Sequence, residues 1–113
     1  MQHKLEILKT KINSGQFPDD YPHFGGANLI ITDSPNRNYH DGDIVVYSMH
    51  ATALSWLVFE LKEIYNNEID YINKYDFYPY IGALINNTLK RQEPLFETML
   101  LVVEEIESEW GVN

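Results

Sequence analysis

The stretch "NLIITDSPNRNYHDGDIVVYS", residues 28–48, contains two runs that are typical of β-strands. "NLIIT" (28–32) and "DIVVYS" (43–48) are rich in isoleucine and valine, and turn-forming residues separate them. "SPN" predicts a first chain reversal. Asp41-Gly42 predicts a type I′ turn, because Asp-Gly suits the positive φ that both central residues of that turn adopt. With "RNYH" (37–40) as the middle strand, the stretch predicts a three-stranded antiparallel meander.

Apolar residues at helical spacing surround this stretch and predict helices. We expect helices over residues 3–13 and 49–66, one that starts at Pro79, and one from Pro94 to about Trp110. Residues 67–79 have room for a further short helix. Ser14-Gly15 suits a helix end and Ser48 an N-cap. The chain is therefore expected to be α+β, a small three-stranded antiparallel sheet packed against four to five helices in a single domain, residues 1–113.

Composition narrows the functional classes. The net charge is −9 and there is no cysteine, which excludes a disulfide framework, a thiolate zinc site and a cysteine nucleophile. Nucleic acids and anionic membranes require clustered Lys and Arg, so neither is expected as a direct partner, whereas a basic protein is. Acidity also serves solubility alone. The lysine-containing N-terminus has no signal-peptide pattern, and we expect a soluble, cytoplasmic protein.

Ligand-capable side chains occur over residues 23–50. They are His23, His40, Asp41, Asp43 and His50. Turn chemistry explains most of them, and no HExxH, calcium-loop or Gly-x-Ser-x-Gly motif is present. The sequence thus favours a protein with no catalytic activity, no metal and no cofactor. A metal-dependent enzyme that uses these His and Asp residues is kept as an alternative.

The last predicted helix ends in "VVEEIESEWG" (102–111), where carboxylates oppose the helix dipole. No Lys or Arg follows Arg91 to compensate them. At about 100° per residue, one broad face collects four glutamates around a leucine. Glu107 does not join them and falls at the edge of the apolar face. The members are Glu97, Leu101, Glu104, Glu105 and Glu109. An apolar side chain within a charged rim suggests an interface. The alternatives are a solvated face, or basic residues of the N-terminal helix that fold back onto the glutamates.

Residues 68–80, "EIDYINKYDFYPY", interleave acidic and aromatic side chains. Tyrosine is enriched in binding surfaces, although some of these rings are expected to fill the core. Leu101 and one or more of the tyrosines are expected to be anchors. The candidate partner-binding residues of this segment are Asp70, Tyr71, Tyr75, Asp76 and Tyr78.

In size, charge and its two acidic segments, 68–80 and 97–109, the chain resembles small, acidic, cysteine-free bacterial immunity proteins. These belong to toxin–immunity pairs, including those of contact-dependent growth inhibition. The resemblance implies a non-catalytic inhibitor that neutralises a basic protein, such as a cognate nuclease toxin domain, in a one-to-one complex. The other hypothesis is a small structural or regulatory subunit that acts as a homodimer.

Overall fold

The computed structural model describes residues 2–26, 28–34, 39, 41–68 and 74–109, without the side chains of 66–68 and 74–76. The elements are α1 (Gln2–Asn13), β1 (Gly25–Gly26), β2 (Leu29–Thr32), β3 (Ile44–Tyr47), α2 (Ala51–Glu68), α3 (Lys74–Leu89) and α4 (Leu95–Glu109). The α+β class is confirmed, with four helices in the described part of the chain. None of these helices has the length and apolar character that crossing a membrane requires.

The sheet is mixed, so the predicted antiparallel meander is wrong. Its strand order is β1-β2-β3, with β1 antiparallel to β2 and β2 parallel to β3. Leu29 pairs with Ile44 and Thr32 with Tyr47. The predicted middle strand, residues 37–40, lies outside the described residues except for Tyr39, which is not in a strand.

Strands β2 and β3 pair directly with each other, so no middle strand separates them as the predicted meander requires. Gly42, just before β3, has a φ of +92°, which glycine adopts without strain. The connection of residues 33–43 instead returns the chain to the start of β2. Both strands also lack the polar alternation of a half-exposed strand, and Leu29, Ile31 and Thr32 of β2 are buried. Such runs are typical of parallel strands that are covered on both faces.

Local sequence determines where α1 ends and where α2 begins, as predicted. The Gln16 N–H donates to the Lys11 carbonyl and the Gly15 N–H to the Ile12 carbonyl, with Gly15 at a φ of +70°. This is a Schellman ending, in which glycine takes the left-handed position. Ser48 accepts the His50 N–H on its hydroxyl (3.0 Å), as an N-cap does.

Pro79 lies inside α3 rather than in its first turn, which corrects the prediction for this helix. The helix starts upstream at Lys74, and it tolerates the proline although the Tyr75 carbonyl loses its helical donor. Ile81 and Ile85 are fully buried as predicted, whereas Leu84 and Leu89 are only half-buried.

The loop before β1 is fixed to the core by aromatic contacts, as the sequence predicts. The Phe24 ring lies 4.9 Å from Tyr78 and 5.3 Å from Phe59, measured between centroids. The Phe24 N–H donates to the buried Ser55 hydroxyl at 2.9 Å. Tyr21 packs on Phe59, and Phe17 packs on Trp56.

Helix α3 lies directly on the parallel pair β2 and β3. A Cβ atom at Gly82 would stand 2.6 Å from Leu29 Cδ1 and 3.0 Å from Ile44 Cγ2, so any larger residue would require the Leu29 side chain to shift. One turn later, the Asn86 Nδ2 group donates to the Val45 carbonyl at 3.0 Å. The helix therefore covers both a face of the sheet and its outer strand.

We expect Gly82→Ala to destabilise the protein by about 1 kcal/mol net. Overpacking costs about 1–3 kcal/mol, and the gain in helix propensity offsets about 1 kcal/mol of it. Denaturant unfolding measures the change. Ala83→Gly changes an exposed neighbour on the same helix and therefore measures the difference in helix propensity between alanine and glycine alone. A stabilised Gly82→Ala variant would contradict the tight contact.

Candidate partner-binding surface

Helix α4 has a buried face toward the core and a polar face toward solvent. Its buried residues are Thr98, Met99, Val102, Val103 and Ile106. Phe96 lies at helical spacing from Met99 and Val103 but is 47% exposed, whereas Val102 is fully buried. The neighbouring helices account for this, because α4 is covered by α1 on one flank and α3 on the other.

The predicted surface of α4 is present, and we call it the acidic face. It consists of the exposed residues Glu97, Glu104, Glu105 and Glu109 with the half-buried Leu101. Among the residues that the structure describes, no hydrogen bond or ion pair reaches any of these four carboxylates. Their charges are therefore compensated by solvent alone within this part of the chain.

Glu107 differs from the acidic face because it joins α4 to α1. Its carboxylate accepts from Lys9 Nζ at 2.8 Å and from Gln2 Nε2 at 3.2 Å. The hydrogen bond with Glu107 is the main reason that the pKa of Lys9 is raised, and Glu6 at 3.0 Å adds to it. Lys9 thus folds back onto Glu107, but in the described chain it leaves the acidic face open.

We expect Glu107→Gln to destabilise the protein by about 1–2 kcal/mol, because a charge-assisted hydrogen bond in a partly buried setting is lost. A double-mutant cycle with Lys9→Met, measured by denaturant unfolding, should recover most of this as coupling energy. Glu104→Gln on the same helix is the control and should change stability by less than about 0.5 kcal/mol. Equal effects of the two glutamine variants would contradict the structural role of Glu107.

A groove of about 190 Å³ separates α3 from α4 beside the acidic face. Helix α3 contributes residues at successive turns of one side, and α4 contributes two carboxylates. The lining residues are Tyr80, Ala83, Leu84, Asn87, Glu105 and Glu109. Tyr80 belongs to segment 68–80 but was not among the predicted contacts. The i, i+3, i+4, i+7 spacing of the four α3 residues indicates that they share one side of the helix.

The hydroxyl of Tyr80, one of the lining residues, is buried, and within the described part of the chain no hydrogen bond reaches it. Burial, followed by the nearby charges of Glu109 and Glu105, raises the pKa of Tyr80 to about 12. The phenol is therefore neutral at physiological pH, with a hydrogen to donate and lone pairs to accept.

Stability should fall between about pH 10 and pH 12 through Tyr80. The pKa of this phenol is about 12 in the folded protein and near its ordinary value of 10.0 in the unfolded chain. Its contribution is complete below pH 10 and is lost as the pH rises to the folded value, because only the unfolded state ionises readily. Unfolding curves for wild type and Tyr80→Phe across this range measure the difference. Parallel pH profiles would contradict the raised pKa.

The predicted residues of segment 68–80 divide into two groups. Asp70 and Tyr71 lie outside the described residues, as do the side chains of Tyr75 and Asp76. Tyr78 is 7% exposed and packs on Phe24 and Phe77, so its ring fills the core and is not available to a partner. The expectation for Tyr78 as an anchor is corrected accordingly.

The His and Asp residues of 23–50 do not gather into a site where the structure describes them. His23 Nε2 lies 3.3 Å from the Thr52 hydroxyl, and Asp41 and His50 are exposed at separate turns. His40 lies outside the described residues. Elsewhere in the described chain, no three His, Asp or Glu side chains come together as metal ligands would.

A second groove, of about 220 Å³, lies between α1 and α2. Its lining includes Lys4 and Lys11 together with Glu60 and Glu63. With both signs of charge, it does not select a partner by charge. It is larger than the α3–α4 groove, but its lining does not indicate the charge of a ligand.

No protein-family model, curated protein or solved structure matches this chain. Homology therefore neither supports nor opposes the resemblance to immunity proteins, which stays a hypothesis. The charge, exposure and packing of α4 and its neighbours are therefore the observations that bear on function.

Proposed function

We propose that this protein is a non-catalytic inhibitor that binds a basic protein partner through the acidic face of α4. The carrying observation is that all four carboxylates of this face are exposed, with no hydrogen-bond or ion-pair partner among the described residues. In line with the resemblance to immunity proteins, the proposed partner is a cognate toxin domain, for example a nuclease.

The position of these carboxylates on the helix supports the proposal. Three of them, Glu104, Glu105 and Glu109, lie in the C-terminal half of α4, where the helix dipole disfavours anions by about 0.3–1 kcal/mol near the end. Glu105 and Glu109 also repel each other as an i, i+4 pair. A bound cationic partner compensates both unfavourable interactions, the one with the helix dipole and the repulsion between the two glutamates. This compensation increases the affinity of the complex.

Leu101 provides the apolar part of the proposed interface. It is half-buried on the outer side of α4, among carboxylates that remain exposed. Interfaces commonly place an apolar contact at the centre and charges at the rim. Long-range attraction from the rim speeds encounter, and the apolar contact slows dissociation. Asp70, Tyr71, Tyr75 and Asp76 remain proposed contacts.

The charge of this face favours a one-to-one complex over a homodimer. In a two-fold symmetric dimer through α4, the same acidic face would oppose its own copy. Like charges would then meet across the interface, which costs free energy. The alternative of a homodimeric regulatory subunit predicts a dimer in light scattering at low protein concentration. The proposed inhibitor is expected to be a monomer until it meets its partner.

Charge reversal on the acidic face tests the proposal. We expect a Glu104→Lys, Glu105→Lys, Glu109→Lys variant to associate at least about tenfold more slowly with the proposed basic toxin domain, at low ionic strength. The difference should shrink as salt is added, because screening removes steering. Stopped-flow association kinetics at two salt concentrations measures both effects.

The matched control places the same charge change elsewhere. Asp19→Lys, Asp20→Lys and Glu63→Lys alter exposed residues that do not belong to α4 and give the same net charge. This variant should retain the association rate within about threefold. If both variants slow association equally, overall charge and not the acidic face governs binding. If neither does, the proposal is wrong.

A further inference from the structure

The groove between α3 and α4 has an apolar floor and an acidic rim. Leu84 is half-buried there and Ala83 is exposed beside it, while Glu105 and Glu109 line the opposite side. A long cationic side chain matches this arrangement, because its aliphatic stem can cover apolar surface while its charged end reaches carboxylates. An anion is excluded by the rim, and a purely apolar group leaves both carboxylates without a partner.

The polar atoms of the groove further restrict the cation. The Tyr80 hydroxyl is buried, and no hydrogen bond reaches it from the described residues, which is uncommon for a polar atom in a folded protein. Being a neutral phenol, it can accept an N–H donor, and the Asn87 side-chain carbonyl can do the same. Two carboxylates and an amide carbonyl therefore belong to the groove lining, and the lining residue Tyr80 adds a phenol oxygen that is closed to solvent in the free protein. A guanidinium carries five N–H donors in a planar array, whereas an ammonium carries three at one point.

We propose that this groove receives an arginine side chain that the basic partner presents. The stem lies along Leu84, and the guanidinium donates to Glu105 and Glu109, with the Tyr80 hydroxyl as a further acceptor once its ring turns toward the groove. The inference rests on the proposed function for the identity of the partner. Recognition of the side chain itself is a property of this chain alone and can be measured without the partner.

Titration with N-acetyl-arginine amide, followed by amide chemical shifts in nuclear magnetic resonance, tests the groove directly. We expect saturable shifts at Ala83, Leu84, Asn87 and Glu105 at millimolar concentrations and low ionic strength. The citrulline analogue has nearly the same shape without the charge and should produce no saturable shift. The lysine analogue should bind more weakly, because it presents fewer donors.

Two double variants with equal net charge separate groove recognition from general attraction. Glu105→Gln with Glu109→Gln should weaken arginine amide binding at least about tenfold. Glu97→Gln with Glu104→Gln removes two carboxylates of the acidic face that do not line the groove, and should change binding by less than about twofold. Tyr80→Phe keeps the ring and should reduce the preference for arginine over lysine.

The outcomes distinguish this inference from the proposed function. Equal weakening by the two double variants, or shifts that are not centred on the groove, would overturn the arginine site. If arginine amide fails to bind while charge reversal still slows association with the basic domain, the proposed function stands and the groove inference falls. If arginine amide binds as described but charge reversal leaves association unchanged, the proposed function falls and the groove remains an arginine site.

Discussion

The close packing of α3 on the parallel strands is the constraint on which the rest of the structure depends. Gly82 lets the helix backbone approach Leu29 of β2 and Ile44 of β3. Leu29 and Ile44 are register partners in this parallel pair, and their side chains lie side by side beneath the helix. The position of α3 then determines where α4 can pack, and so determines the shape of the groove between them.

Helix α4 uses its carboxylates in two different ways. On the flank toward α1, Glu107 is paired with Lys9 and Gln2 and stabilises the packing of two helices. On the flank toward α3, Glu105 and Glu109 face a groove that contains a neutral, unpartnered phenol. The fold thus compensates one glutamate internally and leaves others for solvent or a partner, although all belong to one short sequence.

Much of the fold could be predicted, because helix ends and buried stripes depend on neighbours in sequence. The glycine that ends α1, the serine before α2 and the exposed glutamates of α4 are of this kind. The direct pairing of β3 with β2 could not be predicted from Asp41-Gly42, since that dipeptide permits a hairpin turn without imposing one. The apolar runs "LIIT" and "IVVY", which lack polar alternation, were the available signal for parallel pairing.

The candidate site was predictable only where it lies on one helix. The angular positions of Glu97, Glu104 and Leu101 on α4 follow from helical geometry. The groove needs two helices at once, so its members on α3 could not be assigned from spacing alone. Tyr78 and Tyr80 illustrate the difficulty: they are separated by about 200° around the same helix, and packing places one in the core and the other in the groove.

The hydrogen bond from Asn86 to the Val45 carbonyl also limits how this protein can associate with other chains. Outer strands of sheets carry unpaired backbone groups that can recruit a strand from another molecule. Here a side-chain amide occupies one of those carbonyls, and α3 lies along the same strand. Strand addition at β3 is thereby obstructed, and a molecule that approaches this edge of the sheet meets the side chains of α3. Side-chain chemistry rather than backbone pairing then determines whether that molecule is accepted.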